Sequence, residues 1–452
     1  MPVDVRLKGP LAKRRNFVIS LVVAISVGFG TLYFLLWPLL YPRGVFGWGH
    51  FRLVDLALGL SFAAVLMFAL VFSAADIRQR RMLVFRMILV VSGTLIPVAV
   101  FDVFYSVCVG GLLVPHRTDS WFDDSGAISR QTNEPDDELG FVRKPGLKWS
   151  GGATPDAEVL EYRTDENGFR NAANIKRADV VFIGDSFTEG ASVQENATFT
   201  NSVERQTGLV CINLGRGHYG PQQEAIVLHR YGFSYSPETV VWQLFEGNDL
   251  GDAERFAAWR DGSTKSESMR LRYVKRSPIF QLINLTARSR DEESPYRMLE
   301  LIDQTLQPVH LDYKYTPDAP RQSTRGVAEF KQAAGQIAAL CNERNAKLLA
   351  VFVPIKVKVL APWIQFDDED DRERWLPTVR DRVSGDFGEV CAQCCEELGI
   401  DFIDASASLQ NAAESNRREI YHLGQDSHLA QGGHQVVANL VTQWIQKQTQ
   451  EN

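Results

Sequence analysis

The residues best suited to chemistry lie in four separated blocks. Ser186 sits in Gly184-Asp185-Ser186-Phe187-Thr188-Glu189-Gly190, between glycines that permit close backbone approach. Asn213-Leu214-Gly215-Arg216-Gly217-His218-Tyr219-Gly220-Pro221 offers small backbone donors, and Glu246-Gly247-Asn248-Asp249 offers a carboxamide. Near the C-terminus, Asp426-Ser427-His428 supplies an imidazole with a carboxylate two residues before it. These are the parts that serine acyl transfer needs. An imidazole takes the hydroxyl proton, a carboxylate fixes its tautomer and stabilises the cation, and preorganised N–H donors stabilise the oxyanion. Asp185 and Asp249 are read as loop holders through Asp-to-backbone hydrogen bonds, and His422 and His434 as structural. No metal constellation emerges, because His422 and His428 lack a second cluster to complete a ligand shell.

Elements that could bring those blocks together follow from the text beyond Arg177, where short β-branched runs alternate with longer amphipathic ones. Strands are expected at Asp179 to Ile183, Leu209 to Leu214, Thr239 to Leu244, Lys347 to Val353 and Ile400 to Ile403. Helices are expected near Phe199 to Thr207, Gln222 to Tyr231, Val327 to Arg344, Phe387 to Leu398 and Gly432 to Gln446. That pattern predicts a doubly wound parallel α/β sheet with helices on both faces. Ligands of such sheets collect beyond the carboxyl ends of the strands, where all four blocks would fall.

Together the blocks resemble the SGNH hydrolases, also called the GDSL lipase/esterase superfamily. The resemblance takes in Gly184-Asp185-Ser186, the turn near Gly217, Gly247-Asn248-Asp249 and the terminal Asp/His element. It extends to Leu139-Gly140-Phe141, Lys144-Pro145, Asn167-Gly168-Phe169-Arg170 and Val353-Pro354-Ile355-Lys356, and so covers most of residues 134 to 446. It implies a three-layer α/β/α, flavodoxin-like domain with Ser186 as nucleophile, His428 as general base and Asp426 as its orienting acid. It further implies an oxyanion hole from the Ser186 N–H, the Gly217 N–H and the Asn248 side chain, with the His218 N–H as alternative donor. This chain departs from many members in holding Gln425 three residues before the histidine, which leaves the shorter Asp-x-His pattern, and in placing His218 where a glycine is usual.

Charge divides the chain in two. Residues 1 to 114 hold no Glu, 11 Lys/Arg and 4 Asp, whereas residues 115 to 452 hold 37 basic and 51 acidic residues. So acidic a C-terminal piece excludes nucleic acid as partner, since a polyanion needs a basic footprint. Phe17 to Tyr41 is 25 residues without a charge and Leu56 to Ala75 is 20, each enough to cross roughly 30 Å of hydrocarbon. Met87 to Val114 reads as a third span, with Asp102 near one end reaching the headgroup layer. Basic residues crowd the first span's N-terminal flank and the second-to-third loop, so the N-terminus is expected in the cytoplasm and the large piece outside it.

The expected organisation is a membrane anchor with three transmembrane helices over 1–114, a linker and lead-in over 115–150, and an SGNH hydrolase domain over 151–452. An insertion at about 251–325 is too long for an ordinary connection. Its Ile279 to Leu285 and Met298 to Leu306 pieces read as short helices capping the site. Cys391, Cys394 and Cys395 form a CxxCC cluster, weak evidence for zinc and equally readable as a disulfide, with Cys341 as a further partner. Asp367 to Asp371 reads as a solvated acidic loop.

The function expected from these residues is a membrane-anchored, extracytoplasmic serine esterase with no cofactor, acting on small-molecule or glycan acyl esters through an acyl-enzyme. An O-acyltransferase of cell-surface glycan would need the same residues. A non-catalytic polysaccharide-binding or assembly protein of the same fold is the third reading.

Overall fold

The computed structural model describes residues 75–108, 132–151, 159–171, 175–263, 273–281 (275 apart), 296–311, 324–367 and 387–450, with Phe72, 369–370 and 372–373. The chain divides into two compact units, residues 1–114 with 267–292, and residues 115–266 with 293–452. The first two expected spans lie outside the described residues, apart from Phe72 and Ala75.

In the first unit, one helix, Ile77–Cys108, runs across most of the expected third span. Four arginines occupy its first ten residues and Pro97 interrupts its interior. Among the described residues no helix is long and apolar enough to cross a membrane. Asp102 is the residue expected at the headgroup layer. It is buried and accepts hydrogen bonds from the Ser277 hydroxyl at 2.7 Å, the Ile279 N–H at 3.0 Å and the Tyr273 hydroxyl. A carboxylate on an apolar helix is stabilised by whatever donors fold against it, and here residues 273–279 of the insertion supply them.

The second unit begins with two hairpins, β1 (Asn133–Asp136) with β2 (Gly140–Arg143) and β3 (Lys148–Gly151) with β4 (Leu160–Arg163). Its central sheet is built from β5 (Val180–Ile183), β6 (Cys211–Asn213) and β7 (Thr239–Phe245). The insertion then contributes β8 (Tyr296–Glu300) and β9 (Leu306–His310). The chain returns to the central sheet with β10 (Lys347–Val353), adds the short β11 (Ile364–Gln365) and closes the sheet with β12 (Asp401–Asp404). The central sheet is entirely parallel in the order β12-β10-β7-β5-β6, the flavodoxin-like arrangement.

Alternation along the strands creates both cores. Val181, Ile183, Val240 and Trp242 face the helices Pro221–Arg230, Thr324–Glu343 and Phe387–Leu398. Val180, Phe182, Val241 and Val351 face Phe199–Thr207 and Gln431–Gln450 on the other side. Both faces being covered explains why these strands read as near-continuous apolar runs. Each fully buried aromatic or branched side chain, such as Phe182, Trp242 or Phe330, contributes roughly 1.5–3 kcal/mol.

Two expectations need correction. Residues 132–150 are no linker: Leu139 and Phe141 are fully buried in the core, and their carbonyls accept from Gln223 Nε2 at 2.8 Å and the Tyr219 hydroxyl at 2.6 Å. Nor is Met298 to Leu306 a helix. Arg297 and Leu299 are buried while Tyr296 and Met298 are exposed, a period of two that makes β8 and β9 an antiparallel pair extended by β11.

Candidate active site

β5 ends at Ile183, and Gly184 turns the chain with φ +154° into the short helix Ser186–Glu189. A Cβ on Gly184 would lie 2.3 Å from Thr188 Oγ1 and 2.7 Å from Gln243 Oε1, so the turn requires glycine. Asp185 caps the helix, its Oδ1 accepting the Phe187 N–H at 2.9 Å. The order of the sheet reverses at β5 and β7, so Ser186 stands at the switch point where such folds bind ligands.

The C-terminal block reaches the same edge. His428 Nε2 lies 2.8 Å from Ser186 Oγ, and His428 Nδ1 lies 2.7 Å from Asp426 Oδ1. Asp426 Oδ1 also accepts the His428 backbone N–H at 2.9 Å, which fixes the Asp-x-His turn. With Asp426 ionised, Nδ1 carries the ring proton and the Nε2 lone pair faces the serine hydroxyl. Burial opposes the charged form of His428, but the hydrogen bond and charge of Asp426 outweigh it and raise the imidazole above its ordinary 6.5. Burial likewise opposes the Asp426 carboxylate, and hydrogen bonding to His428 holds it well below the carboxylate range.

Lys356 holds the loop that carries this pair. Its Nζ donates to the carbonyls of His422 at 2.9 Å, Gly424 at 3.0 Å and Asp426 at 3.0 Å. From the insertion, the His310 N–H donates to the Leu423 carbonyl at 2.7 Å, so β9 braces the loop from outside instead of capping the cleft with helices. His434 is structural. Its Nδ1 accepts the Phe199 N–H at 3.2 Å, and burial pushes it down to about 3. Burial also lowers His422.

The expected oxyanion donors fare differently. Neither the Ser186 N–H nor the His218 N–H has an acceptor among the described residues. Gly217 N–H is already committed, donating to Glu189 Oε2 at 2.8 Å. Asn248 precedes the helix Asp249–Arg260 and turns its Nδ2 to Asp252 Oδ2 at 2.6 Å. In both cases a carboxylate captures the donor, Glu189 from the turn that bears Ser186 and Asp252 from one turn beyond Asn248, because a charged acceptor is stronger than a neutral one. Asp249 Oδ2 accepts the Phe245 N–H at 2.8 Å and holds its loop.

With no family model and no curated protein matching the chain, only solved structures offer comparisons. The chain is similar to GDSL-type lipases and acylhydrolases. A GDSL-like lipase from Bacteroides thetaiotaomicron is 13% identical, covers 60% of this chain and 88% of its own, and superposes with a TM-score of 0.30. A lipase/acylhydrolase from Enterococcus faecalis is 13% identical over 60% of this chain and 95% of its own, with a TM-score of 0.31. A catalytic mutant of an acetylxylan esterase from Geobacillus stearothermophilus is 12% identical over 59% of this chain and 93% of its own, also at 0.31.

The Gly184 to Gly190 block also brings a charged wall that was not expected from the sequence. Ser186, Gly217, His218 and His428 line a cleft of about 370 Å³ together with Arg143, Arg216 and Glu189. Glu189 lies three residues beyond Ser186 on the same helical turn, with Arg143 Nη2 2.6 Å from Oε1 and Arg216 Nη1 3.3 Å from Oε2. Burial raises the Glu189 pKa, but the two guanidiniums prevail and hold it at about 2. Burial pushes Arg216 down to about 10, still charged at neutral pH, and burial with Arg216 nearby pushes His218 down to about 4, a neutral imidazole. The i+3 spacing of Ser186 and Glu189 was visible in the sequence, whereas nothing in it joined Arg143 to either.

Proposed function

We propose that this chain is an SGNH-type serine esterase that hydrolyses acyl esters through an acyl-enzyme. The observation that carries the reading is the continuous Ser186 Oγ, His428 Nε2, His428 Nδ1, Asp426 Oδ1 relay, with links of 2.8 and 2.7 Å, at the mouth of a cleft. Ser186 Oγ attacks the ester carbonyl as His428 takes its proton, and Asp426 stabilises the imidazolium. The Ser186 and His218 N–H groups stabilise the tetrahedral oxyanion. Collapse of the intermediate breaks the bond to the alcohol, which leaves with the proton from His428. Water, deprotonated by the same imidazole, then releases the acid and restores Ser186. The His218 backbone adopts φ +68°, a costly conformation for a side-chain-bearing residue that fits a turn whose N–H must be aimed.

The proposal includes attachment to a membrane through Phe17 to Tyr41, Leu56 to Ala75 and Met87 to Val114, with the hydrolase unit outside the cytoplasm. Its support is the charge-free length of the first two stretches and the basic asymmetry of their flanks. Exposed Phe85, Ile88, Leu89, Phe101 and Phe104 on Ile77–Cys108 are in keeping with a lipid-facing surface. Labelling of single cysteines introduced before Phe17 and at Lys148, with a membrane-impermeant reagent on intact cells, tests the topology. Modification at both or at neither overturns it.

Turnover is tested with the purified full chain on short p-nitrophenyl esters beside Ser186→Ala and His428→Ala. Release of nitrophenol that falls at least about a thousand-fold in both variants supports the reading. Hydrolysis undiminished in Ser186→Ala removes the proposed nucleophile. Acyl transfer to an added sugar exceeding hydrolysis replaces esterase with transferase.

A further inference from the structure

We propose that the cleft at Ser186 selects esters bearing a carboxylate on their acyl or alcohol part, seated against Arg143. This deepens the esterase reading and rests on it. Apart from the His428–Asp426 pair, the charged side chains lining the cleft are two guanidiniums and one carboxylate, so the wall carries surplus positive charge. Glu189 carries a single negative charge, which it shares between Arg143 at Oε1 and Arg216 at Oε2, so it offsets one of the two guanidiniums.

The two arginines are not equivalent. Arg216 spends Nη1 on Glu189 and Nη2 on Asn133 Oδ1 at 2.5 Å, and its guanidinium lies over the Phe141 ring. Arg143 spends Nη2 on Glu189, and the rest of its guanidinium makes no hydrogen bond among the described residues. Its charged centre sits 4.8 Å from the centroid of the Trp149 ring, which fixes its plane, and its side chain is 13% exposed. A positioned, largely desolvated guanidinium with unused donors in a reaction cleft is suited to a substrate carboxylate. Stabilisation of the tetrahedral oxyanion alone would serve every ester equally, so discrimination between charged and neutral esters separates the two roles.

The test uses the full chain and two matched pairs. Mono-p-nitrophenyl succinate against its methyl ester places the charge on the acyl side; acetylated galacturonate against its methyl ester places it on the alcohol side. The expected result is an advantage of about tenfold in kcat/KM for the anionic member of one pair, the scale of one partly desolvated ion pair. The advantage shrinks as salt is added, falls about tenfold in Arg143→Gln and persists in part in Arg143→Lys. Absence of an anion advantage in both pairs overturns the proposal. So does equal loss of both members in Arg143→Gln, which would assign Arg143 to the transition state or to the fold. If Arg143→Gln does not fold, the salt dependence of the unaltered chain decides. Should the chain turn over no ester, the esterase reading fails by itself. Calorimetry with succinate half-ester and methyl ester on Ser186→Ala then decides recognition, equal affinities overturning it.

Discussion

Glu189 Oε2 accepts the Gly217 N–H at 2.8 Å, linking the helical turn that bears Ser186 to the loop that bears His218. The carboxylate consumes one candidate oxyanion donor, and its expected role is to position the turn that carries the next, the His218 N–H. Glu189→Gln is expected to leave Arg143 and Arg216 facing an uncharged partner, at a cost of about 3–5 kcal/mol. It should lower kcat by roughly ten- to a hundred-fold through the displaced turn. Urea unfolding and ester kinetics check both, and full activity in Glu189→Gln would remove the positioning role. The sign of the pH effect follows from a folded pKa of about 2 against an ordinary 4.5. The stabilisation is complete above the unfolded value and is lost as pH falls toward 2, on the order of 3 kcal/mol, and Glu189→Gln should lack this loss.

With neutral His428 as the proposed base, activity should rise with pH through its folded pKa. That value lies above 6.5 because Asp426 outweighs burial, which places the acidic limb of kcat/KM above 6.5. Asp426→Asn is expected to move the limb downward and lower the rate by roughly 10³–10⁴-fold. A limb that stays in place would show that Asp426 does not set the imidazole. For stability the sign reverses: the protonated His428–Asp426 pair contributes below the unfolded histidine pKa, and the contribution is lost as pH rises through the folded one.

Three carbonyls of the Asp426 loop converge on Lys356 Nζ. Lys356→Met keeps the stem and removes the charge, leaving the buried bond to the Asp426 carbonyl and the two part-buried ones unmade at about 1–3 kcal/mol. The loop should loosen and kcat fall by about tenfold or more, with KM for small esters little changed. Thermal unfolding and steady-state kinetics read the two effects, and an unaltered kcat would show that the loop holds its own shape.

Cys341, Cys391, Cys394 and Cys395 are free and buried, where a disulfide or a zinc site was the sequence-level alternative. Three of them line one face of Phe387–Leu398 and pack in the core as small apolar side chains. Burial pushes the Cys341 and Cys395 thiols up to about 12. Reducing agent should therefore leave the melting temperature unchanged, and a thiol reagent at pH 8 should label these residues only after denaturant is added. A melting temperature lowered by dithiothreitol would overturn the assignment.

Much of the sheet was legible because both faces of it are covered. A strand buried on both sides is apolar at most positions, so Lys347–Val353 stood out with the boundaries the structure shows. The helices Phe199–Thr207 and Phe387–Leu398 stood out for the complementary reason, a single apolar face recurring at helical spacing. β8 and β9 were misread because Met298 to Leu306 holds too few residues to distinguish a period of two from one of 3.6. The lead-in hairpins were missed because their turns, rich in Asp, Gly and Pro, mask short strands whose partners are only a few residues away.

By itself the sequence pointed to the parallel α/β sheet and the apolar N-terminal stretches, which follow from local periodicity, and to Ser186, Asp426 and His428 as candidate site residues, through side-chain chemistry and the family resemblance. Tertiary structure decided which donors remain free and which charges share the cleft. Asn133, Arg143, Glu189 and Arg216 meet only when the β1–β2 hairpin folds over the carboxyl edge of the sheet. Coulomb attraction depends on separation through space, which spacing along the chain does not encode.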